Sequence, residues 1–409
     1  MNHKWKVAMA CFMVVTLLAT LSYGCAEKEE EGKVTITIGQ ITDLTGPASP
    51  AYSVVALALE DAVRYFNEED LIPGVRINIV TYDTVYNPAR DLPAYDWCIE
   101  RGAKVIYDAM SSAIVRKPFA AIDKVPIVAL AVSEEMIEPP GWIFSMNAPV
   151  AYQVKAFLKW ISEEYWDYDQ GIPKIGSAGW ENVYHVELSK ALEEYVDEHP
   201  GEFELVGVLK APQGATTWTG EVEALKGCDY VWLPSAGLDT LTFAREFRDK
   251  GGTATFIGGD AMSAFRGLLL DGLGWEDLDG SIAVHASTRW WGEPSPIVDL
   301  AEQLVYEYHP GEADDIVHAG IGYIGGFHQA YGFLELLQKA INDVGAENFD
   351  GQAFYDTAVG FSKTWEGYEE WGFTQTKRYS WDYVGIYEWS QADGDLIRLV
   401  TDWLPNLTE

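Results

Sequence analysis

The order of the apolar runs constrains this chain more than any other feature. From residue 34 onward, short β-branched segments alternate with stretches of helical periodicity, and the alternation later starts afresh. Residues 34–41 (VTITIGQI) read as a buried strand, followed by the turn-rich Thr42-Asp43-Leu44-Thr45-Gly46-Pro47. Over residues 52–66, Val55, Leu59, Ala62, Val63 and Phe66 share one helical face. Strands follow at 76–82, 104–109 and 126–132, with helices at 88–101 and 113–122 between them. Strands joined through helices pair in parallel, and a parallel sheet is buried on both faces.

A helix at 152–165 opens a second unit. Its strands fall at 174–178, 204–209, 230–233, 255–257 and 281–286, with helices at 184–198 and 240–250. Helices at 296–308 and 327–341 follow. The chain closes on a hairpin, 384–389 and 396–400, across Ala392-Asp393-Gly394-Asp395. The pattern is that of an α/β protein with two doubly wound parallel-sheet lobes, whose strand-end loops face a cleft. A length of 409 residues suits two such units.

The first residues read as an address. Lys4 and Lys6 precede an apolar run over 7–21, which is short for a membrane span and right for a signal-peptide core. Leu21-Ser22-Tyr23-Gly24-Cys25 then resembles the lipobox of exported lipoproteins, although Tyr23 is bulky where that motif prefers a small residue. The resemblance implies a signal peptide over 1–24, a lipid on Cys25, and a charged tether over 25–32; an ordinary cleaved signal with a chance Cys is the plainer alternative. No later apolar run reaches 18 residues. With Cys11 in the signal, only Cys98 and Cys228 remain, which is no disulfide framework and offers no Cys-x-x-Cys pair for zinc.

The formal charge of −35 repels phosphate backbones and anionic headgroups, so no nucleic acid is expected as partner, and the membrane is met through the lipid anchor alone. The 22 Tyr and 16 Trp exceed what a core usually needs, so some rings are expected to line a site.

Several segments, in this order, resemble the type I periplasmic solute-binding proteins of ABC importers, in particular the branched-chain amino-acid (Leu/Ile/Val) binding family. Ile38 to Gly46 resembles its opening strand and Leu-Thr-Gly turn, and Asn87-Pro88 after Asp83 its Asp-rich loop. Ala109-Met110-Ser111-Ser112 resembles its Gly-x-x-Ser-Ser turn, and residues 126–133 its next strand and loop. Gly214-Ala215-Thr216-Thr217-Trp218 resembles Gly-Ala-Thr-Asp-Phe, Gly258-Gly259-Asp260 a lobe-two strand end, and Val384 to Trp389 the closing strand. The resemblance implies three crossovers, near 147–150, 284–287 and 380–384. Lobe one would hold 33–148 and 287–381, and lobe two 149–286 and 382–409. It also implies a monomer without cofactor or metal, which closes on a small-molecule ligand and presents the closed form to an ABC permease complex.

The same resemblance implies the site. Ser111, Ser112 and Ser133, with Ala131 near the end of the strand before it, would hold a ligand carboxylate; all three serines also suit helix caps, and both roles can coexist. Asp260 would pair with a ligand ammonium, or cap the helix that follows. Tyr184 would close over the ligand with Trp180 near it, and Trp290, beside Trp291, would wall the pocket or pack at the hinge. Trp218 is expected in the core. The family's Tyr-Asp before its long lobe-one helix has no clean match in residues 322–328, and the crowding of rings hints at a ligand larger or flatter than leucine.

An enzyme is not expected. His309, Glu312, Asp314, Asp315 and His318 cluster without an ordered metal spacing, as does His185-Val186-Glu187, and no Gly-x-Ser-x-Gly elbow, P-loop or Gly-x-Gly-x-x-Gly follows a strand. Two alternatives stay open: a ligand-sensing module of the same fold reporting to a separate receptor, and an importer receptor for an amine-free carboxylate.

Overall fold

The computed structural model describes residues 32–110, 112–233, 237–286, 288–365 and 368–406. Cys25, with the rest of the addressing segment up to residue 31, lies outside them, as does Ser111.

Two sheets carry the fold. The first comprises β1 (Val34–Thr42), β2 (Val75–Asp83), β3 (Val105–Asp108), β4 (Ile127–Ala129) and β5 (Ile143–Ser145), in the order β2-β1-β3-β4-β5. β3 runs parallel to β1 with Ile38 opposite Val105, and β4 and β5 continue in parallel. The second comprises β6 (Lys174–Trp180), β7 (Glu204–Ala211), β8 (Tyr230–Trp232), β9 (Thr255–Gly258) and β10 (Ile282–His285). It runs β7-β6-β8-β9-β10, all parallel. The hairpin strands extend it. Of these, Tyr383–Ser390 lies antiparallel to β10, with Val284 opposite Ile386, and Asp395–Arg398 lies against Tyr383–Ser390.

Six helices matter for the site: α1 (Ser49–Glu68), α2 (Val150–Trp160), α3 (Val183–Glu198), α4 (Asp260–Ala264), α5 (Pro296–Tyr308) and α6 (Ile321–Val344). The face of α1 foreseen from periodicity is buried at Leu59, Ala62, Val63 and Phe66. After β5 the chain enters α2 and the second sheet, and after β10 it returns to α5 and α6, which pack beside α1. It crosses a third time near residue 380, where Ser380 N–H donates to the Ser145 carbonyl at 2.8 Å. The third passage thus lies along the first.

Three elements differ from expectation. β4 ends at Ala129, three residues early, and Leu130–Val132 leave the sheet as a loop. A two-stranded hairpin, Ser362–Trp365 with Tyr368–Gly372, stands outside both sheets. α6 begins at Ile321, not 327, despite Gly322, Gly325 and Gly326, which ordinarily weaken a helix. Packing overrides that preference. A Cβ on Gly322 would lie 2.8 Å from Val54 Cγ2, and one on Gly326 3.2 Å from Ala58 Cβ, so these glycines let α6 lie against α1.

The thiols of Cys98 and Cys228 are free and buried, and burial pushes them up to about 12 and about 11. Among the described residues, no helix is long and apolar enough to cross a membrane.

Candidate functional site

Between the sheets lies a cavity of about 130 Å³. From the first sheet it takes Ala109 at the end of β3, Leu130–Val132 after β4, and Asn147 and Ala148 after β5. From the second it takes Tyr184 at the start of α3, and Asp260, Ala261 and Ala264 of α4. Tyr52 and Val55 of α1, with Gly322, Gly325, Gly326 and Gln329 of α6, form the remaining wall. The early end of β4 is what turns residues 130–132 inward.

Asp260 is the one charged side chain lining this cavity among the described residues. It sits at the first position of α4, and Gly259 takes the cap position that the sequence suggested for it. Its Oδ2 accepts the Ala286 N–H at 3.0 Å, which ties α4 to the end of β10. A Cβ on the preceding Gly259 would stand 3.3 Å from the Tyr184 hydroxyl and 3.7 Å from Gln153 Oε1. Those two polar atoms therefore gather beside Asp260. Gln153 Nε2 donates to the Ala148 carbonyl at 2.8 Å, which leaves Oε1 as its second polar end.

Burial, with Asp43 and Asp108 nearby, pushes the Tyr52 hydroxyl well above its ordinary range, and burial does the same to Tyr86. Both are neutral donors at any working pH.

Tyr86 also lines a second hollow of about 410 Å³ with Ser112, Ser133, Asn182 and Gln213. Its walls are acidic, carrying Asp91, Glu135, Glu181 and Glu187. Val85 and Tyr86 both adopt left-handed backbone, with φ of 55° and 51°, which is costly for a β-branched residue. Asp83 holds this loop: it accepts from Leu44 N–H at 2.9 Å, Thr45 Oγ1 at 2.6 Å and Val85 N–H at 3.0 Å. Burial pushes Asp83 up, but those hydrogen bonds outweigh it and hold the carboxyl below its ordinary value. Asp43 closes the other side, accepting from Gly46 and Ala48 N–H. Beneath the Ser112 loop, buried Arg116 pairs with Asp108 at 2.7 Å and Asp91 at 3.3 Å. Burial pushes Asp108 up to about 6 although Arg116 opposes it.

The residues singled out from sequence thus separate into three groups. Ala131, Tyr184 and Asp260 meet in the inner cavity. Ser112 and Ser133 face the outer hollow, and neither makes a side-chain capping bond. Trp180 and Trp290 line neither. The Trp180 Nε1–H donates to the Ala215 carbonyl at 2.7 Å, and the Trp290 Nε1–H to Asp395 at 3.1 Å, so both indoles are spent on holding loops. Trp291 likewise donates to the Gly320 carbonyl, and Trp218 is buried. His309 bonds Asp61 of α1 at 2.8 Å, and His318 bonds Asp271 at 3.2 Å. Among the described residues no group of three or more His, Cys, Asp or Glu is placed to hold a metal.

Tyr52, Asn147, Gln153 and Gln329 were not foreseen. For Gln329 a signal existed: Gly322, Gly325, Gly326 and Gln329 recur at helical spacing, a stripe of small residues ending in an amide.

A family model described as periplasmic binding protein matches residues 35–393. The chain belongs to the periplasmic binding protein family. Its fold is that of the type I members. A branched-chain amino-acid ABC transporter protein from Thermus thermophilus with bound valine superposes with a TM-score of 0.78 at 18% identity, over 92% of this chain and 97% of that one. A solute-binding protein from Rhodopseudomonas palustris HaA2 in complex with p-hydroxybenzoic acid gives 0.72 at 16%, over 91% and 97%. A fatty acid ABC transporter substrate-binding protein from Thermomonospora curvata gives 0.73 at 15%, over 92% and 93%. No curated protein sequence matches the chain. In this binding protein the cavity lies between the two sheets and draws walls from both.

Proposed function

We propose that this protein is the extracytoplasmic solute receptor of an ABC importer, lipid-anchored at Cys25, that takes an amino acid or related small amphipathic acid between its lobes. The lobes would be 33–148 with 287–381 and 149–286 with 382–409, closing over the solute. The observation that carries this is Asp260, the one charged side chain among the described residues of a cavity otherwise lined by apolar and neutral polar groups. A carboxylate lining such a cavity favours an ammonium over a second anion. An apolar cavity of about 150 Å³ accepts benzene, so about 130 Å³ suits a branched or aromatic side chain. The hydroxyls of Tyr52, Tyr86 and Tyr184, residues that line the cavity, would donate to the solute's carboxylate. Ser112 and Ser133 would take part only for a solute long enough to pass Tyr86.

The rings of Tyr52, Tyr86, Tyr184 and Phe265 around the cavity favour a second reading, an aromatic carboxylate without an amine. Isothermal titration with leucine and phenylalanine against 4-methylpentanoate and 3-phenylpropanoate separates the two. On the first reading the amine-bearing solutes bind, and Asp260→Asn weakens them about 100-fold or more. Equal binding of the amine-free pair, unchanged in Asp260→Asn, would discard the amine and leave the aromatic acid.

A further inference from the structure

Helix α6 is fixed in rotation from both sides. On one side, Gly322 and Gly326 rest against Val54, Val55 and Ala58 of α1. On the other, His328 Nδ1 bonds Thr288 Oγ1 at 3.0 Å and its Nε2 bonds Glu370 at 3.0 Å. Glu370 is held in turn by Arg289 at 2.9 Å. Gln329 follows His328 and is thereby turned into the cavity, where it is 5% exposed. Its Oε1 is buried and has no hydrogen-bond partner among the described residues. A buried acceptor left unmatched is unfavourable, because it has given up its water without gaining a donor. Apart from Ile321, the other α6 residues lining the cavity are Gly322, Gly325 and Gly326, which bring no side chain to compete with a solute for Gln329.

We infer that Gln329 is a specificity-determining residue: its Oε1 accepts a hydrogen bond from the bound solute, which must therefore present an N–H or O–H to α6 inside the pocket. This rests on the cavity's being the solute site, as proposed above. Two sources of that donor are compatible with the chemistry, the solute's own ammonium or a hydroxyl on its side chain. A solute lacking the donor leaves Oε1 unpaired, and sites built to bond a polar hydrogen discriminate strongly against analogues that lack it.

The test measures dissociation constants for matched solutes on the full protein and on Gln329→Leu, which keeps helical propensity and approximate size. One arm pairs leucine with N,N,N-trimethylleucine, which keeps the positive charge and has no N–H. The other pairs tyrosine with phenylalanine, threonine with valine, and p-hydroxybenzoate with benzoate. In the wild type, the donor-rich member of at least one arm should bind about tenfold or more tightly. In Gln329→Leu that ratio should collapse towards unity. A collapse in the first arm names the ammonium as donor, and one in the second names the hydroxyl. Ratios near unity in the wild type, or ratios that survive in Gln329→Leu, would overturn the inference. The benzoate pair carries no amine, so its outcome is independent of the Asp260 assignment.

Discussion

Gln213 Nε2 donates to the Tyr86 carbonyl oxygen at 3.2 Å, joining residues 127 apart in the chain. Gln213 follows β7 of the second sheet, and Tyr86 follows β2 of the first. The bond spans the cleft at the residue that separates the inner cavity from the outer hollow. Gln213→Ala should therefore release a bound solute about three- to tenfold faster with little change in thermal stability, the scale expected for one exposed hydrogen bond. Stopped-flow displacement would read the rate. An unchanged off-rate would mean that this bond does not hold the cleft closed.

Gly46 decides where that loop can sit. A Cβ there would lie 2.6 Å from the Val85 carbonyl carbon and 2.6 Å from Asp43 Oδ1. Gly46→Ala should destabilise the protein by about 1–3 kcal/mol, because backbone must move to make room. Solute affinity should fall with it, since Tyr86 moves too. Urea unfolding and titration calorimetry on the same variant would show both losses.

Two buried imidazoles set the acid limit. Burial lowers His285 to about 3 and His185 to about 4, against 6.5 for the free side chain. Both are neutral in the folded state at pH 5 and protonated in the unfolded chain. Stability is thus full above pH 6.5 and lost as pH falls, by about 2 kcal/mol for each His at pH 5. Asp108, raised by burial, acts oppositely: its contribution improves as pH falls from about 6 towards the unfolded value. Unfolding measured at pH 7 and pH 5 should show a net loss that is smaller in His285→Gln. An equal loss in that variant would mean that His285 is not the titrating group.

Glu370 anchors the return of the chain to the second sheet. It takes hydrogen bonds from Arg289 and His328, and these outweigh the upward push of burial to keep the carboxyl below its ordinary value. Glu370→Gln leaves the Arg289 guanidinium with a neutral partner in a dry environment. A loss of about 3–5 kcal/mol is expected, read by denaturant unfolding.

Much of the fold was legible because β-branched runs announce buried strands, as in β1. The hidden parts have physical reasons. The first turns of α6 carry glycines that argue against a helix, and only contact with α1 makes those glycines an advantage. Ser112 and Ser133 follow their strands much as Ala131 does, and nothing local shows that Tyr86 will come between them and the inner cavity. Trp180 stands at a strand end facing the cleft, as a binding ring would, but the Ala215 carbonyl claims its N–H. Asp260 was singled out only through the resemblance that Gly258-Gly259-Asp260 carries, and for Gln329 the helical spacing of Gly322, Gly325 and Gly326 was a signal that means little until α1 is seen against it.

The acidic rim of the outer hollow also acts on solutes still in water. Glu135, Glu181 and Glu187 stand at the approach, on a chain of formal charge −35, and the cavity beyond adds Asp260 and, among the described residues, no cation. At an ionic strength of 0.15 M such a field reaches about 8 Å, roughly the length of a small amphipathic molecule. A dipolar solute is turned by it before contact and arrives positive end first. A simple anion of the same shape is slowed before any side chain touches it. Selection therefore begins as a matter of traffic, in the last few ångströms of solvent, ahead of the fit within the pocket.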